Sequence, residues 1–184
     1  MNPWHDVRRD RITPSDFWAM IEIPKGSKNK YELDKETGRL KLDRILFTST
    51  HYPQNYGFIP LTYAKDLDPL DVLVLCSEPI VSMSFVECCP IGVLIMTDGG
   101  YCDKKIIAVA KSDPFYNEYK DISEVPSHTL DEIKHFFSVY KTLEGKETTI
   151  DTIKGKDEAM KIIANCMDEY RKVIIPKLIE ERKR

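Results

Sequence analysis

Three aspartates, Asp66, Asp68 and Asp71, crowd into the stretch "KDLDPLDVLVL" at 65–75, with no cation between them. Carboxylate oxygens at such density are what hard divalent cations bind. The same residues also suit a solvated turn, since Asp and Pro are both turn formers. Pro69 disfavours helix at Asp68, so the aspartates sit on extended or turning backbone before the apolar run. Asp66 and Asp68 would share a face there, and Asp71 needs the turn at Pro69 to join them. An EF-hand is excluded, because its sixth and twelfth positions would fall on Asp71 and Ser77 rather than on Gly and Glu. An aspartyl-phosphate chemistry built on the DxD pair is a closer rival, but that motif closes a buried strand and this one opens it.

A second acidic pair, Asp98 and Asp103, lies in the glycine-rich turn "TDGGYCDKK" and is followed by Lys104 and Lys105. Carboxylates at two separate strand ends are how a site assembled from distant segments looks. Either cluster alone reads as a surface turn. Other candidates have plain alternatives. Glu22 in "MIEIP" fits an outward-facing strand position, Lys30 and Glu32 fit a cross-strand charge pair, and Asp43 and Arg44 fit a local ion pair. Tyr140 falls on an apolar helix stripe, Lys141 suits a solvated helix end, and His51 and His135 lack ligand spacing.

The elements that must hold these groups change period along the chain. Short strands are predicted over 17–24, 30–34 and 37–47, and the apolar runs 72–76, 91–96 and 106–110 read as buried strands. Thereafter the pattern is helical. "TLDE" has capping-box spacing between Thr129 and Glu132. Ile133, Phe136, Phe137, Tyr140 and Leu143 then share one face. A second helix is predicted from about Asp157, to be kinked or ended by Pro176. Strands followed by helices predict a mainly β, α+β fold, a small barrel or curved sheet with helices outside, as a single domain over 1–184.

A formal net charge of −3 and scattered basic residues give no footprint for nucleic acid or a membrane surface. The basic tail "ERKR" suits a helix C-terminal dipole. No segment approaches the roughly 20 apolar residues of a membrane span, and the N-terminus lacks the apolar core of a signal peptide. The five cysteines form no CxxC pair, which points to reduced thiols in a cytoplasmic protein.

Five motifs, "IEIPKGSKNKYELDKETGRLKLDR", "HYPQNYGFIP", "DLDPLD", "MTDGGYCDKK" and "HFFSVYK", occur in the order and near the spacing of one family. From about residue 17 to 145 the chain resembles the soluble family I inorganic pyrophosphatases, and its compact length resembles their prokaryotic branch. That resemblance implies an OB-like five-stranded barrel with two C-terminal helices, and hydrolysis of inorganic pyrophosphate by a metal-activated water. Several magnesium ions are implied, held by Asp66, Asp71 and Asp103, with Asp98 and Asp103 for a metal that arrives with substrate and Glu22 acting through water. Asp68 matches the general base. Lys30, Arg44, Lys105, Tyr140 and Lys141 match phosphate-binding positions, and Tyr56 and Glu32 match supporting groups. A hexamer is implied as well.

Two departures from the family pattern stand out: Leu67 where a small or polar residue is usual, and Gly99, Gly100, Tyr101 and Cys102 where the turn is usually acidic. Cys102 beside Asp103 predicts sensitivity to thiol reagents. The competing functions are a phosphohydrolase with an aspartyl-phosphate intermediate and a non-catalytic phosphate-binding barrel. A nucleic-acid-binding OB domain would need a basic groove, which this chain lacks.

Overall fold

The computed structural model describes residues 2–181 and residue 183. Arg182 and Arg184 of the basic tail lie outside the described residues, so its reading as a helix-dipole complement does too. The described residues form eight strands: β1 (Phe17–Ile23), β2 (Asn29–Leu33), β3 (Leu40–Ile45), β4 (Asn55–Ile59), β5 (Leu70–Leu75), β6 (Phe85–Asp98), β7 (Tyr101–Ala110) and β8 (Thr148–Gly155). Three helices follow or interleave: α1 (Ser127–Val139), α2 (Lys156–Glu169) and α3 (Ile175–Glu181).

The main sheet runs β1-β4-β5-β7-β6-β8, and β6 also pairs back onto β1. Five strands therefore close into a barrel, with β8 appended outside the ring. The 14-residue β6 makes this possible: it pairs with β1 through Phe85–Cys88 and with β8 through Gly92–Asp98. A register shift between Pro90 and Gly92 bends β6 between those duties. Proline has no N–H for a ladder, so it is tolerated at such a break. Closure leaves the ring without an open edge. The pair β5–β7 is parallel, and the other barrel pairs are antiparallel. β2 and β3 form a separate hairpin.

The uninterrupted apolar runs of β5 and β7 are explained by burial on both faces. Val72, Val74, Ile106 and Ala108 pack in one cluster with Ala159, Ile162 and Ile163 of α2. Leu73, Leu75, Ile107 and Val109 pack in another with Ile133, Phe136 and Phe137 of α1. Each helix thus seals one side of the strands that carry the candidate residues.

Several local expectations differ from the structure. α1 starts at Ser127 behind Pro126, with no side-chain cap, so Thr129 lies inside the helix. The capping box sits upstream instead, where Asp121 and Glu124 close a short 3-10 turn over Ile122–Glu124. Leu143 is past the helix and exposed. At Pro176 the second helix is interrupted rather than stopped: α2 closes at Glu169 and α3 resumes at Ile175. The proline lacks the N–H that Lys172 would need, and the chain widens into a π turn over Tyr170–Ile174 before α3 continues. β4 and β8 are strands where none was predicted.

Candidate active site

The candidate residues come from most of the elements around one mouth of the barrel. Glu22 is the extra residue of a β-bulge, because Ile21 opposes Gly57 while Ile23 opposes Tyr56. Bulges re-aim a side chain, and here Glu22 is turned inward and buried rather than facing out. Its Oε1 accepts from the Leu33 backbone N–H at 2.7 Å. Burial pushes its carboxyl up to about 8, the Leu33 hydrogen bond opposes that, and nearby Asp71 adds to it. Gly57 lets β1 come this close: a Cβ there would lie 1.8 Å from the Met20 carbonyl oxygen.

The centre of the site is Lys105 on β7. The parallel register sets it directly beside Asp71 of β5. Its Nζ donates to Asp71 Oδ2 at 2.7 Å and to the Tyr56 hydroxyl at 3.0 Å, and pairs with Asp103 Oδ2 at 2.9 Å. Burial works against this ammonium, but Asp71, Tyr56 and Asp103 outweigh it and hold its pKa well above the ordinary lysine value. Burial likewise raises the Tyr56 hydroxyl, with Asp71 adding to the effect, so it stays a neutral phenol.

Asp66 and Asp68 sit on the turn before β5, where Asp66 Oδ1 accepts from the Asp68 N–H at 3.2 Å. Leu67 between them has a left-handed φ of +71°. Non-glycine residues rarely adopt that region, and Asn or Asp does so more easily than Leu. Partial loss of hydration, then Asp71 and Asp103, raise the Asp66 carboxyl. Asp66, Asp71 and Asp103 are thus near enough to repel one another. Asp68 is ion-paired with Lys35.

Asp98 and Asp103 do not share a turn. Asp98 ends β6 and pairs with Tyr101, while Gly99 and Gly100, both at positive φ, form the two-residue hairpin between them. That geometry suits glycine, which gives a structural reason for the missing acidic residues. Asp103 is consequently on β7, two residues before Lys105. Lys141 is ion-paired with Asp98, and the Tyr140 hydroxyl lies 3.5 Å from Asp98 Oδ2. The Tyr140 ring is core at the same time, 5.2 Å from Phe136 and 5.4 Å from Phe137. Burial foremost, with Asp98 contributing, raises its hydroxyl far above the ordinary tyrosine value.

One cleft of about 450 Å³ gathers Glu22, Lys30, Glu32, Tyr56, Asp66, Asp68, Asp71, Asp98, Asp103, Lys105, Tyr140 and Lys141 in its lining. Lys30 pairs with Glu32 along β2 and, across the hairpin, with Asp43 of β3 at 3.4 Å. Arg44 is not in that lining. Its Nε donates to Glu144 at 2.8 Å and its Nη1 to Asp43 at 2.6 Å, so two carboxylates hold the guanidinium aside. Lys35 and Glu144 escaped the sequence reading. Lys35 lay in a stretch that reads as an ordinary turn, and Glu144 meets Arg44 across 100 positions, with no local pattern to mark it.

Among the described residues no group of three or more His, Cys, Asp or Glu is already gathered at metal-ligand spacing. The donor set still fits a hard cation. Asp66, Asp71 and Asp103 line one cleft, and Lys105 engages only Oδ2 of the latter two. All-oxygen donors of this kind suit magnesium, calcium or manganese over zinc or copper.

Residues 19–171 match the family described as Pyrophosphatase: Inorganic pyrophosphatase. The chain is 48% identical over 176 residues to soluble inorganic pyrophosphatase 2 of Chlamydomonas reinhardtii, covering 96% of this chain and 92% of that one. This chain belongs to the inorganic pyrophosphatase family. The pyrophosphatase structure from Thermus thermophilus superposes with a TM-score of 0.89 at 37% identity, covering 93% of this chain and 99% of that one. The Helicobacter pylori pyrophosphatase gives 0.86 at 40%, covering 90% and 99%. Nearly full coverage of both bacterial chains matches the compact length of this pyrophosphatase. The closed five-stranded barrel is the OB-like fold expected, and no helix among the described residues is long and apolar enough to cross a membrane.

Proposed function

We propose that this pyrophosphatase, acting as one domain over 1–184, hydrolyses inorganic pyrophosphate to two phosphates by direct attack of water, without a phosphoenzyme. The observation that carries this reading is the convergence of Asp66, Asp71 and Asp103 with Lys105 in one cleft, in a chain of this family. Asp66, Asp71 and Asp103 would hold magnesium, with Asp98 sharing the ion that accompanies substrate and Glu22 contributing through water. Magnesium, when bound, lowers the pKa of an attacking water and neutralises phosphate charge.

The remaining steps belong to the chain's own side chains. Asp68 takes the proton of the attacking water, and its pairing with Lys35 orients the carboxylate. Lys30, Lys105 and Lys141 are point charges for phosphate oxygens, and Tyr140 offers a hydroxyl donor. Tyr56 fixes Lys105, and Glu32 fixes Lys30. Arg44 grips phosphate only after leaving Glu144 and Asp43, which would trade two carboxylate partners for phosphate oxygens.

The test is phosphate release from pyrophosphate with magnesium and with excess EDTA, alongside ATP and a simple phosphate monoester. Rapid magnesium-dependent release from pyrophosphate alone supports the reading. Comparable release from the monoester, or a trapped acyl-phosphate, would favour the aspartyl-phosphate alternative. No release from folded protein would favour a binding barrel. The active form is proposed to be a cytoplasmic hexamer, which sedimentation of the purified protein tests.

A further inference from the structure

The Lys35–Asp68 ion pair joins the turn of the β2–β3 hairpin to the loop between β4 and β5, and both side chains are 47% exposed. A pair this open to water has little hold of its own. The backbones on either side must be fixed by something else. Residues 2–6, which precede the 19–171 family match, do so.

Trp4 stands between the two sides. It is buried in one cluster with Leu33 at the end of β2, Phe58 of β4 and Tyr170 of the π turn. On the loop side, its indole Nε1 donates to the Thr62 carbonyl oxygen at 2.9 Å. Its own carbonyl accepts from the Leu61 N–H at 3.0 Å. Leu61 has a left-handed φ of +57°, which persists only where neighbours hold it. The Thr62 hydroxyl then accepts from the Leu70 N–H at 2.9 Å, tying together the two ends of the stretch that bears Asp66 and Asp68. On the hairpin side, Asn2 Nδ2 donates to the Lys35 carbonyl oxygen at 2.8 Å. The Lys35 ammonium lies 6.0 Å from the centroid of the Trp4 ring. Asn2 is itself fixed to Trp4, whose N–H donates to Asn2 Oδ1 at 3.0 Å. Both members of the ion pair are thus anchored on one indole.

We infer that Trp4, with Asn2, is a positioning residue for the hydrolysis: it braces the hairpin turn against the aspartate loop, so that Lys35 holds Asp68 in line with the attacking water. The inference rests on the proposed role of Asp68 as general base. Neither Trp4 nor Asn2 lines the cleft, so their effect reaches the reaction through Lys35 and the loop. A base moved by a fraction of an ångström loses its alignment with the proton it must take. The phosphate-binding side chains stand on other elements. The brace therefore governs turnover rather than substrate affinity.

The test is steady-state hydrolysis of pyrophosphate by the purified full chain at saturating magnesium, with melting recorded for each variant. Trp4→Leu keeps an apolar filling and deletes the ring and its N–H. Asn2→Ala spares the cluster, deletes the tie to Lys35, and decides the matter alone should Trp4→Leu fail to fold. Expected is a kcat lower by about tenfold for Trp4→Leu and about threefold for Asn2→Ala, with KM within about twofold of the parent. In an Asp68→Asn background neither change lowers kcat further, because no base is left to misplace. Undiminished kcat in the folded variants overturns the brace. An equal proportional loss in the Asp68→Asn background does the same, since it marks a role in the fold at large. If Asp68→Asn itself turns over as fast as the parent, the general-base reading falls and the brace falls with it. A slow Asp68→Asn beside fast Trp4→Leu and Asn2→Ala overturns the brace alone and leaves that reading standing.

Discussion

Replacing Lys105 with methionine keeps an apolar stem of similar length and deletes the charge between Asp71 and Asp103. The lysine side chain is 4% exposed, and those of Asp71 and Asp103 are 25% and 19% exposed. Removing one partner of a fully buried ion pair costs about 3–5 kcal/mol. Both stranded carboxylates keep some water, so the expected loss is lower, about 2–4 kcal/mol. At roughly 2–4 °C per kcal/mol for a chain of this size, melting falls by about 4–16 °C. The assay is thermal unfolding by circular dichroism, first in EDTA and then with magnesium. In magnesium the deficit shrinks, because a bound cation supplies the missing positive charge to the folded state alone. Melting within about 2 °C of the parent in EDTA would refute the claim that this ammonium holds the cluster together. A deficit unchanged by magnesium would refute the claim that cation and lysine serve the same carboxylates.

Asp68→Asn should lower kcat by about 10²- to 10⁴-fold with little change in melting, and a smaller loss in steady-state hydrolysis would remove Asp68 from proton transfer. Leu67→Asn relieves left-handed strain at an exposed position, and a gain of about 0.5–1 kcal/mol in chemical denaturation is expected; destabilisation would count against strain there. His5 packs 4.4 Å from the Trp4 ring, with Nδ1 2.8 Å from the Tyr170 hydroxyl, and burial holds its pKa below 6.5. Its contribution is therefore full above about pH 6.5 and is lost as pH falls from there toward the folded-state value. Melting curves over that window should show the slope for the parent and not for His5→Gln. Alkylation mapped to the exposed Cys102 should lower hydrolysis, while full modification with undiminished activity would separate that thiol from the site.

The apolar runs of β5, β6 and β7 were legible because strands buried on both faces need no alternation, and the stripe of α1 was legible because one face alone is buried. β4 was hidden by its composition: Gly57 is required for the contact with β1, yet glycine argues against a strand. β8 was hidden because "TTIDTIKG" pairs on one side only and stays largely polar. In the site, the aspartate cluster announced itself by residue type. What the sequence withheld was which cation each carboxylate meets. Lys105 beside Asp71 follows from a parallel register, Lys35 on Asp68 from a hairpin folding over the cleft, and Arg44 on Glu144 from a contact spanning most of the chain. Glu22 was legible only by resemblance, since a bulge leaves no periodic signature.

The closure of β1 onto β6 has a kinetic meaning. It joins Phe17 to Cys88, and the parallel pair joins Asp71 to Lys105 across the whole of β6. Such non-local pairings are slow to form, because a long loop must be ordered before any contact stabilises it. No segment of the nascent chain holds the cleft by itself: Glu22, Asp71 and Asp103 lie on three strands that meet only when the ring shuts. During refolding, recovery of hydrolysis should therefore lag the appearance of β-sheet circular dichroism and coincide with the last, barrel-closing phase. The enzyme's own turnover then serves as a clock for the completion of its fold.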